Sequence, residues 1–133
     1  MKLQISTDYA IRILKHLHVR DGDLLTAMDV AQSVGITYPF FIKIANLLKQ
    51  KGLLGAVQGR HGGYFLGRPA HTISVLDVFQ AIEGDLCINR CLDEGQRCAI
   101  GMKDGCKTHE FLCALQRTMI KEMSGQSIAD LAS

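Results

Sequence analysis

Residues 37–67 read TYPFFIKIANLLKQKGLLGAVQGRHGGYFLG, a helical pattern that leads directly into two short strand patterns. Thr37 is a predicted N-cap, and Pro39 lies in the first turn of the helix, where a missing backbone N–H costs nothing. The helix is expected to end near Lys51, because Gly52 is typical of a helix C-terminus. The glycine-rich turn that follows is flanked by two apolar runs, which predict a β-hairpin with strands at Leu53–Val57 and Tyr64–Leu66.

Two amphipathic patterns upstream of this stretch predict two further helices. The first runs from residue 6 to about residue 19, with Ser6 or Thr7 as its cap. The second begins after the N-cap Thr26 and ends at Gly35, so a glycine-containing turn joins it to the next helix. Two short helices joined in this way form a helix-turn-helix, and a hairpin directly after them makes a winged helix.

Positive charge is concentrated in the first part of the chain, although the net charge is only +2. Residues 1–71 contain nine Lys or Arg and four Asp, whereas residues 72–133 contain six Lys or Arg and nine Asp or Glu. This distribution indicates a polyanion such as double-stranded DNA as a partner, and an ordinary solvated face is the alternative. The candidate DNA contacts on the second helix of the pair and at the hairpin tip are Thr37, Tyr38, Lys43, Asn46, Lys49, Arg60 and His61.

A long helix is predicted near the C-terminus, from Lys107 to about Met123. A shorter helix is predicted before it at Val75–Glu83, and another after it at Ile128–Ala132. The apolar stripe of the long helix has no obvious partner in a domain of this size, so we expect it to pack against the same helix of a second subunit in a homodimer. The stripe consists of Phe111, Leu112, Leu115, Met119 and Met123, and the expected contacts are Leu112, Leu115 and Met119.

All five cysteines lie between Cys87 and Cys113. Cys91, Cys98 and Cys106 have the spacing C-x6-C-x7-C and are separated by glycines and charged residues, which cannot build a core. Such a loop is typical of a metal site with thiolate ligands, which suit zinc, copper(I) or the iron of an iron–sulfur cluster. A free-thiol loop and a disulfide pair are the alternatives. Cys87 is a further candidate ligand, and Cys113 is interpreted as a small core residue of the long helix.

The chain is therefore predicted to be mainly α with a small β-hairpin, in three parts. Residues 1–83 form a winged helix-turn-helix DNA-binding domain, residues 84–106 a cysteine-rich cluster-binding loop, and residues 107–133 a dimerisation helix with a short C-terminal helix.

No apolar run approaches the roughly 20 residues of a membrane span, and the start lacks the features of a signal peptide, so we expect a cytoplasmic protein without a membrane partner. We find no nucleophile–base arrangement, nucleotide loop or paired carboxylates, and do not expect an enzyme.

Motifs of one known family are spread over nearly the whole chain. They are Leu3-x-x-Ser6-Thr7-Asp8-Tyr9-Ala10, Tyr38-x-x-Phe41, Lys51-Gly52-Leu53-Leu54, the wing Gly59-Arg60-His61-Gly62-Gly63-Tyr64-Phe65-Leu66-Gly67, Cys91…Cys98…Cys106-Lys107-Thr108-His109 and Ser127-Ile128-Ala129-Asp130-Leu131. With these motifs the chain resembles the IscR/NsrR (Rrf) family of winged-helix iron–sulfur transcriptional regulators. The wing and the three-cysteine loop together make the resemblance specific.

The resemblance implies a homodimer in which the second helix of the helix-turn-helix enters the major groove of DNA and the hairpin reaches the minor groove. It also implies an iron–sulfur cluster, 2Fe-2S or 4Fe-4S, held by Cys91, Cys98 and Cys106. The fourth ligand would be Asp8 of the partner subunit, which we favour, or His109.

The predicted function is that of a sequence-specific DNA-binding transcriptional regulator, with repression as the expected sign. Its DNA affinity would be set by the cluster or by the thiol state, in response to redox conditions, nitric oxide or iron–sulfur status. One alternative is a zinc- or thiol-containing winged-helix regulator without a cluster, because the cysteine spacings are longer than is usual in the family. The other is an iron–sulfur redox carrier, which would not need a winged helix.

Overall fold

The computed structural model describes residues 2–93 and 105–132. The described chain is mainly helical with one antiparallel hairpin, as the sequence predicts, and the predicted bounds differ from the observed ones by one residue at most. The elements in chain order are α1 (Ile5–Val19), α2 (Ala27–Val34), α3 (Tyr38–Gln50), β1 (Leu54–Val57), β2 (Gly63–Leu66), a 3-10 turn (Ala70–Thr72), α4 (Val75–Glu83), a second 3-10 turn (Arg90–Leu92), α5 (Lys107–Ser124) and α6 (Ile128–Ala132).

Side-chain caps begin most of these helices where the sequence places them. The hydroxyl of Thr26 accepts a hydrogen bond from the backbone N–H of Asp29 at 3.1 Å, and Thr37 does the same for Phe40 at 3.3 Å. Ser74 and Asp77 form a reciprocal capping box at the start of α4, with distances of 3.0 and 2.9 Å. Each cap satisfies a backbone N–H that has no partner inside its own helix.

The predicted cap of α1 at Ser6 or Thr7 is wrong. The helix begins at Ile5, and its N-cap Gln4 makes no side-chain capping bond. The carboxylate of Glu83, at the end of α4, lies at this helix start and accepts hydrogen bonds from the Gln4 backbone N–H at 3.3 Å and from the Thr7 hydroxyl at 2.5 Å. A tertiary contact therefore does for α1 what a local side chain does for α2, α3 and α4.

The helices α1, α2, α3, α4 and α6 enclose one apolar core. On α3 the buried side chains are Phe41, Ile44, Ala45 and Leu48, at the three- and four-residue spacing of one helix face. The edge of the Tyr64 ring on β2 packs against Phe41, with 5.1 Å between ring centroids. The largest fully buried side chains are Phe41, Ile13, Leu14, Ile44, Leu48, Leu53, Ile73, Ile128, Val30, Val78 and Thr7.

The short last helix belongs to this core in space, although it follows the long α5 in sequence. Ile128 is fully buried, and its backbone N–H donates to the carbonyl of Ile73 at 2.8 Å. The backbone N–H of Ser127 donates to the carboxylate of Asp130 at 2.9 Å, and the Ser127 hydroxyl accepts from the backbone N–H of Asp130 at 3.0 Å, which caps α6. The backbone hydrogen bond is the main cause that holds the pKa of Asp130 below its ordinary value. The chain thus leaves the winged domain along α5 and returns to it. The division at residues 83/84 and 106/107 stays a prediction.

None of the side chains of α5 is buried within the chain. Phe111 and Leu115 are 56% and 42% exposed. In the part of the chain that the structure describes, no helix is both long and apolar enough to cross a membrane.

Replacing Ile128 with alanine should lower the free energy of unfolding by about 2–5 kcal/mol, because the change leaves a cavity between α6 and the core. Leu131→Ala is the matched control on the same helix. Leu131 is 36% exposed, and its loss should cost less than about 1 kcal/mol. Urea titration of both variants measures the difference, and equal losses would show that α6 does not anchor the core.

Candidate nucleic-acid interface and cysteine site

The outer face of α3 carries the polar residues that the sequence nominates for DNA contact. Lys43, Asn46 and Lys49 are exposed, and so is the ring of Tyr38 at the helix start. Thr37 is exposed too, but its hydroxyl is engaged as the helix cap. Gln50 was missed by the sequence interpretation and lies on the same face, four residues after Asn46.

The hairpin places two further candidates at its tip. Its strands pair from Leu54 opposite Leu66 to Val57 opposite Gly63. The backbone N–H of Gly62 donates to the carbonyl of Gly59 at 3.1 Å and closes a four-residue turn, so Arg60 and His61 occupy the two central positions. Both side chains are exposed.

Glycine is required in this turn for geometric reasons. Gly59 has a φ of +107°, which side-chain-bearing residues rarely adopt. A Cβ atom on Gly62 would lie 1.9 Å from the carbonyl oxygen of Val57. The turn therefore depends on these glycines, and the chemistry at its tip depends on Arg60 and His61.

The hairpin is held in place relative to α3. Leu25, just before α2, pairs with Tyr64 through two backbone hydrogen bonds of 3.3 and 2.7 Å. The Tyr64 ring rests on the buried Phe41 of α3, and burial raises the pKa of its hydroxyl. These contacts fix where the tip lies with respect to the outer face of α3.

The cations on this surface are not engaged in ion pairs. The ion pairs among residues 2–93 and 105–132 are Asp8–Arg12, Arg20–Asp23, Arg68–Asp77 and Lys107–Glu110. Lys43, Lys49 and Arg60 belong to none of them, so their charges are available to an external anion. Such Lys and Arg side chains are the usual donors to DNA phosphates.

The apolar stripe predicted for α5 divides into two faces. Met119 and Met123 are partly buried and line a cavity of about 240 Å³ beside α4, together with Phe79 and Leu86. Phe111 and Leu115 lie on the exposed side. One part of the stripe therefore faces α4, and the other part lies on the exposed surface of α5.

A second site forms where the turn at Arg90–Leu92 meets α5. His109 and Cys113 are one helical turn apart and face the same way. The Nδ1 atom of His109 lies 3.4 Å from Sγ of Cys91, and its Nε2 atom lies 3.4 Å from Sγ of Cys113. The three side chains line a cavity of about 290 Å³ with Leu92, Gln116 and Arg117.

Hydrogen bonds tie the cysteine segment to α5 and to itself. The side-chain oxygen of Gln116 accepts from the backbone N–H of Ile88 at 3.0 Å. The amide of Asn89 donates to Sγ of Cys91 at 3.2 Å, and the thiol of Cys87 donates to the carbonyl of Asn89 at 3.0 Å. Cys91 is thereby held against the ring of His109.

The predicted ligands are brought together only in part. Cys91 and His109 are in contact, Cys106 is partly buried just before α5, and Cys98 lies outside the described residues. Asp8 is exposed on α1 and pairs with Arg12 at 3.2 Å. Within the described ranges no three His, Cys, Asp or Glu side chains are already set for one metal ion.

The interpretation of Cys113 as a core residue is wrong. Its side chain is only partly buried and contacts His109 in the cavity. The four-residue spacing between His109 and Cys113 could have indicated this, because residues so spaced lie on one helix face.

The Cys91–His109 pair fits two corners of a metal or cluster site. With metal–sulfur and metal–nitrogen bonds of about 2.3 and 2.05 Å in tetrahedral geometry, the two ligand atoms lie about 3.5 Å apart. The observed separation of 3.4 Å is close to this value. Thiolate and imidazole are donors that suit zinc and iron.

Comparison with known proteins settles the family. Residues 3–133 match the Rrf2 family, which is described as "Iron-dependent Transcriptional regulator". This chain belongs to the Rrf2 family. It is a DNA-binding transcriptional regulator, as members of that family are, and Rrf2 regulators are typically dimers.

The alignments with similar proteins extend over almost the whole of this Rrf2 chain. Protein aau3 of Rhizobium meliloti (strain 1021) is 29% identical over 131 residues, 98% of this chain and 84% of that protein. The structure of T. potens IscR superposes with a TM-score of 0.77 at 20% identity, over 98% of this chain and 85% of that one. CymR (YrzC), the global cysteine regulator of B. subtilis, gives 0.81 at 19% identity over 99% and 96%. These structures confirm the winged-helix fold.

Proposed function

We propose that this Rrf2 regulator is a homodimer that recognises a specific DNA sequence and whose DNA affinity depends on a metal centre at the cysteine site. An iron–sulfur cluster is the centre we favour. The proposal rests on the Cys91–His109 pair, because the separation of its sulfur and nitrogen atoms fits two ligands of one metal. Cys91 lies in the segment that follows α4, and α4 contacts the start of α1.

The DNA side of the proposal rests on exposure and free charge. The outer face of α3 would lie in the major groove, where side chains at its polar positions meet base edges. Arg60 and His61 at the hairpin tip would contact phosphates or the minor groove. Lys43, Lys49 and Arg60 support this role because their charges are not satisfied within the described chain.

We propose Cys91, Cys98, Cys106 and His109 as the ligands of the centre. His109 replaces Asp8 of the partner subunit as the favoured fourth ligand, because it already contacts Cys91 whereas Asp8 is paired with Arg12. The centre would supply redox chemistry or reactivity toward a small ligand. The imidazole is a weaker anchor for iron than a fourth thiolate, which leaves the centre open to loss.

The cysteine segment is coupled to the DNA-binding helices through Glu83. This residue ends α4 immediately before the segment, and its carboxylate holds the start of α1. A change in the segment that moves Glu83 therefore acts on α1, which packs against α3 in the core. A coupling free energy of about 1–3 kcal/mol changes DNA affinity about 5- to 150-fold.

A thiol-based regulator without a cluster is the second candidate. Two partly exposed thiols, those of Cys91 and Cys113, flank one imidazole, so an oxidant can reach both. Zinc in place of the cluster would give the same tie without redox sensitivity. A redox carrier is less suitable, because the family consists of transcriptional regulators.

Arg60→Ala should weaken binding to specific and non-specific DNA alike and reduce the slope of log K against log salt by about 0.9, the value of one phosphate contact. Fluorescence anisotropy at several salt concentrations measures this slope. Arg20→Ala is the matched control, since Arg20 is already paired with Asp23. An unchanged slope for Arg60→Ala would exclude phosphate contact by the hairpin tip.

Leu115→Asp should dissociate the dimer, because a charge without a partner in an apolar interface costs several kcal/mol. Leu24→Asp is the control, since Leu24 is 45% exposed and Leu115 42%. Sedimentation velocity gives the oligomeric state. A dimer that survives Leu115→Asp would place the interface elsewhere than on the exposed side of α5.

Anaerobic reconstitution tests the metal centre directly. Wild type should contain iron and acid-labile sulfide, whereas Cys91→Ala, Cys98→Ala, Cys106→Ala and His109→Ala should lose most of both. Asp8→Ala serves as the control that should keep the cluster. Loss of the cluster in Asp8→Ala but not in His109→Ala would show that the partner aspartate is the fourth ligand. Equal DNA binding by the holoprotein and the apoprotein would refute the sensor function.

A further inference from the structure

The imidazole of His109 lies between two sulfur atoms, and the two contacts cannot be chemically alike. Both sulfur–nitrogen distances are 3.4 Å. A neutral imidazole carries one N–H and one bare nitrogen. One ring nitrogen therefore donates a hydrogen bond to its sulfur, while the other presents a lone pair.

A single metal ion could use only one of these sulfur atoms together with His109. Nδ1 and Nε2 point to opposite sides of the ring, so an ion bound to one nitrogen is far from the sulfur beside the other. This agrees with the absence of a three-residue metal set among residues 2–93 and 105–132. One cysteine is thus suited to be a ligand, and the other to orient the histidine.

The surroundings of the two sulfur atoms distinguish their roles. Sγ of Cys91 also receives a hydrogen bond from the Asn89 amide at 3.2 Å, and hydrogen bonds of this kind to ligand sulfur tune metal–thiolate sites. Cys113 lies one turn beyond His109 on the same helix, so the helix backbone fixes its position relative to the ring. Its sulfur is placed to accept from Nε2.

We propose that Cys113 is a positioning residue for His109. Its sulfur accepts the Nε2–H hydrogen bond, which leaves Nδ1 bare and directed toward Cys91 and the metal. Histidine ligands commonly donate their second ring N–H to an outer partner, which fixes the tautomer and the ring orientation. The inference rests on the proposed metal function for the ligand role of Nδ1, but the tautomer is a property of the metal-free protein.

The tautomer can be read in metal-free protein by two-dimensional ¹H–¹⁵N NMR of the imidazole at about pH 8, above the ordinary pKa of histidine of about 6.5. Wild type should show His109 with the proton on Nε2. Cys113→Ala should lose this preference, and Cys113→Ser should restore part of it, because a hydroxyl oxygen also accepts. Thr118→Ala is the control at an exposed position of the same helix and should leave the His109 signals unchanged.

Metal affinity supplies the second readout, with Co²⁺ as the probe under anaerobic conditions and a chelator as competitor. Cys113→Ala should bind Co²⁺ about 10- to 100-fold more weakly than wild type, in the range found for outer-shell partners of metal ligands. Circular dichroism checks that the variant keeps its helices.

The two readouts separate the failure of this inference from the failure of the proposed function. A proton on Nδ1 in wild type, or a Cys113→Ala variant with unchanged tautomer and Co²⁺ affinity, would overturn the positioning role. A tautomer that depends on Cys113 in a protein that binds neither cobalt nor iron would support the positioning role and overturn only the metal function.

Discussion

The contact between Glu83 and the start of α1 is the interaction on which the rest of the structure depends. The first N–H groups of a helix have no partner within it, and a carboxylate is favoured there by the helix dipole. Thr7 is fully buried, so its hydroxyl needs the acceptor that Glu83 provides. Through this contact α4 holds the first core helix in place, at the point where the chain enters the cysteine segment.

From this contact the structure extends in two directions. Toward the proposed DNA surface, the core packs α1 against α3, and the ring of Tyr64 on the hairpin packs against Phe41 of α3. Toward the C-terminus, the cysteine segment is fastened to α5 by Gln116 and by the Cys91–His109 pair. The proposed dependence of DNA affinity on the cysteine site needs such a physical connection, because a ligand acts only through contacts that differ between two states.

The ion pairs of the described chain all lie outside the proposed DNA surface. Four exposed cations outside the proposed DNA surface, Arg12, Arg20, Arg68 and Lys107, are paired with carboxylates. Hydrogen bonding to Asp8 raises the pKa of Arg12. The cations of α3 and of the hairpin tip are left without such partners in the described chain. Surface ion pairs contribute little to stability, so the free cations cost the fold little and remain available to phosphate.

The sequence by itself determined the elements whose causes are local. Caps such as Thr26 and Thr37 act over three residues, and helix periodicity identifies the buried face of α3, so helix bounds and the exposed candidates on α3 could be predicted. Only the tertiary structure decided the cap of α1, which joins residues 76 apart, and the return of α6 to the core. It also decided the position of Met119 beside α4 and the contact of Cys113 with His109. These depend on which helix faces meet, and helix packing is set by the whole core and not by a window of sequence.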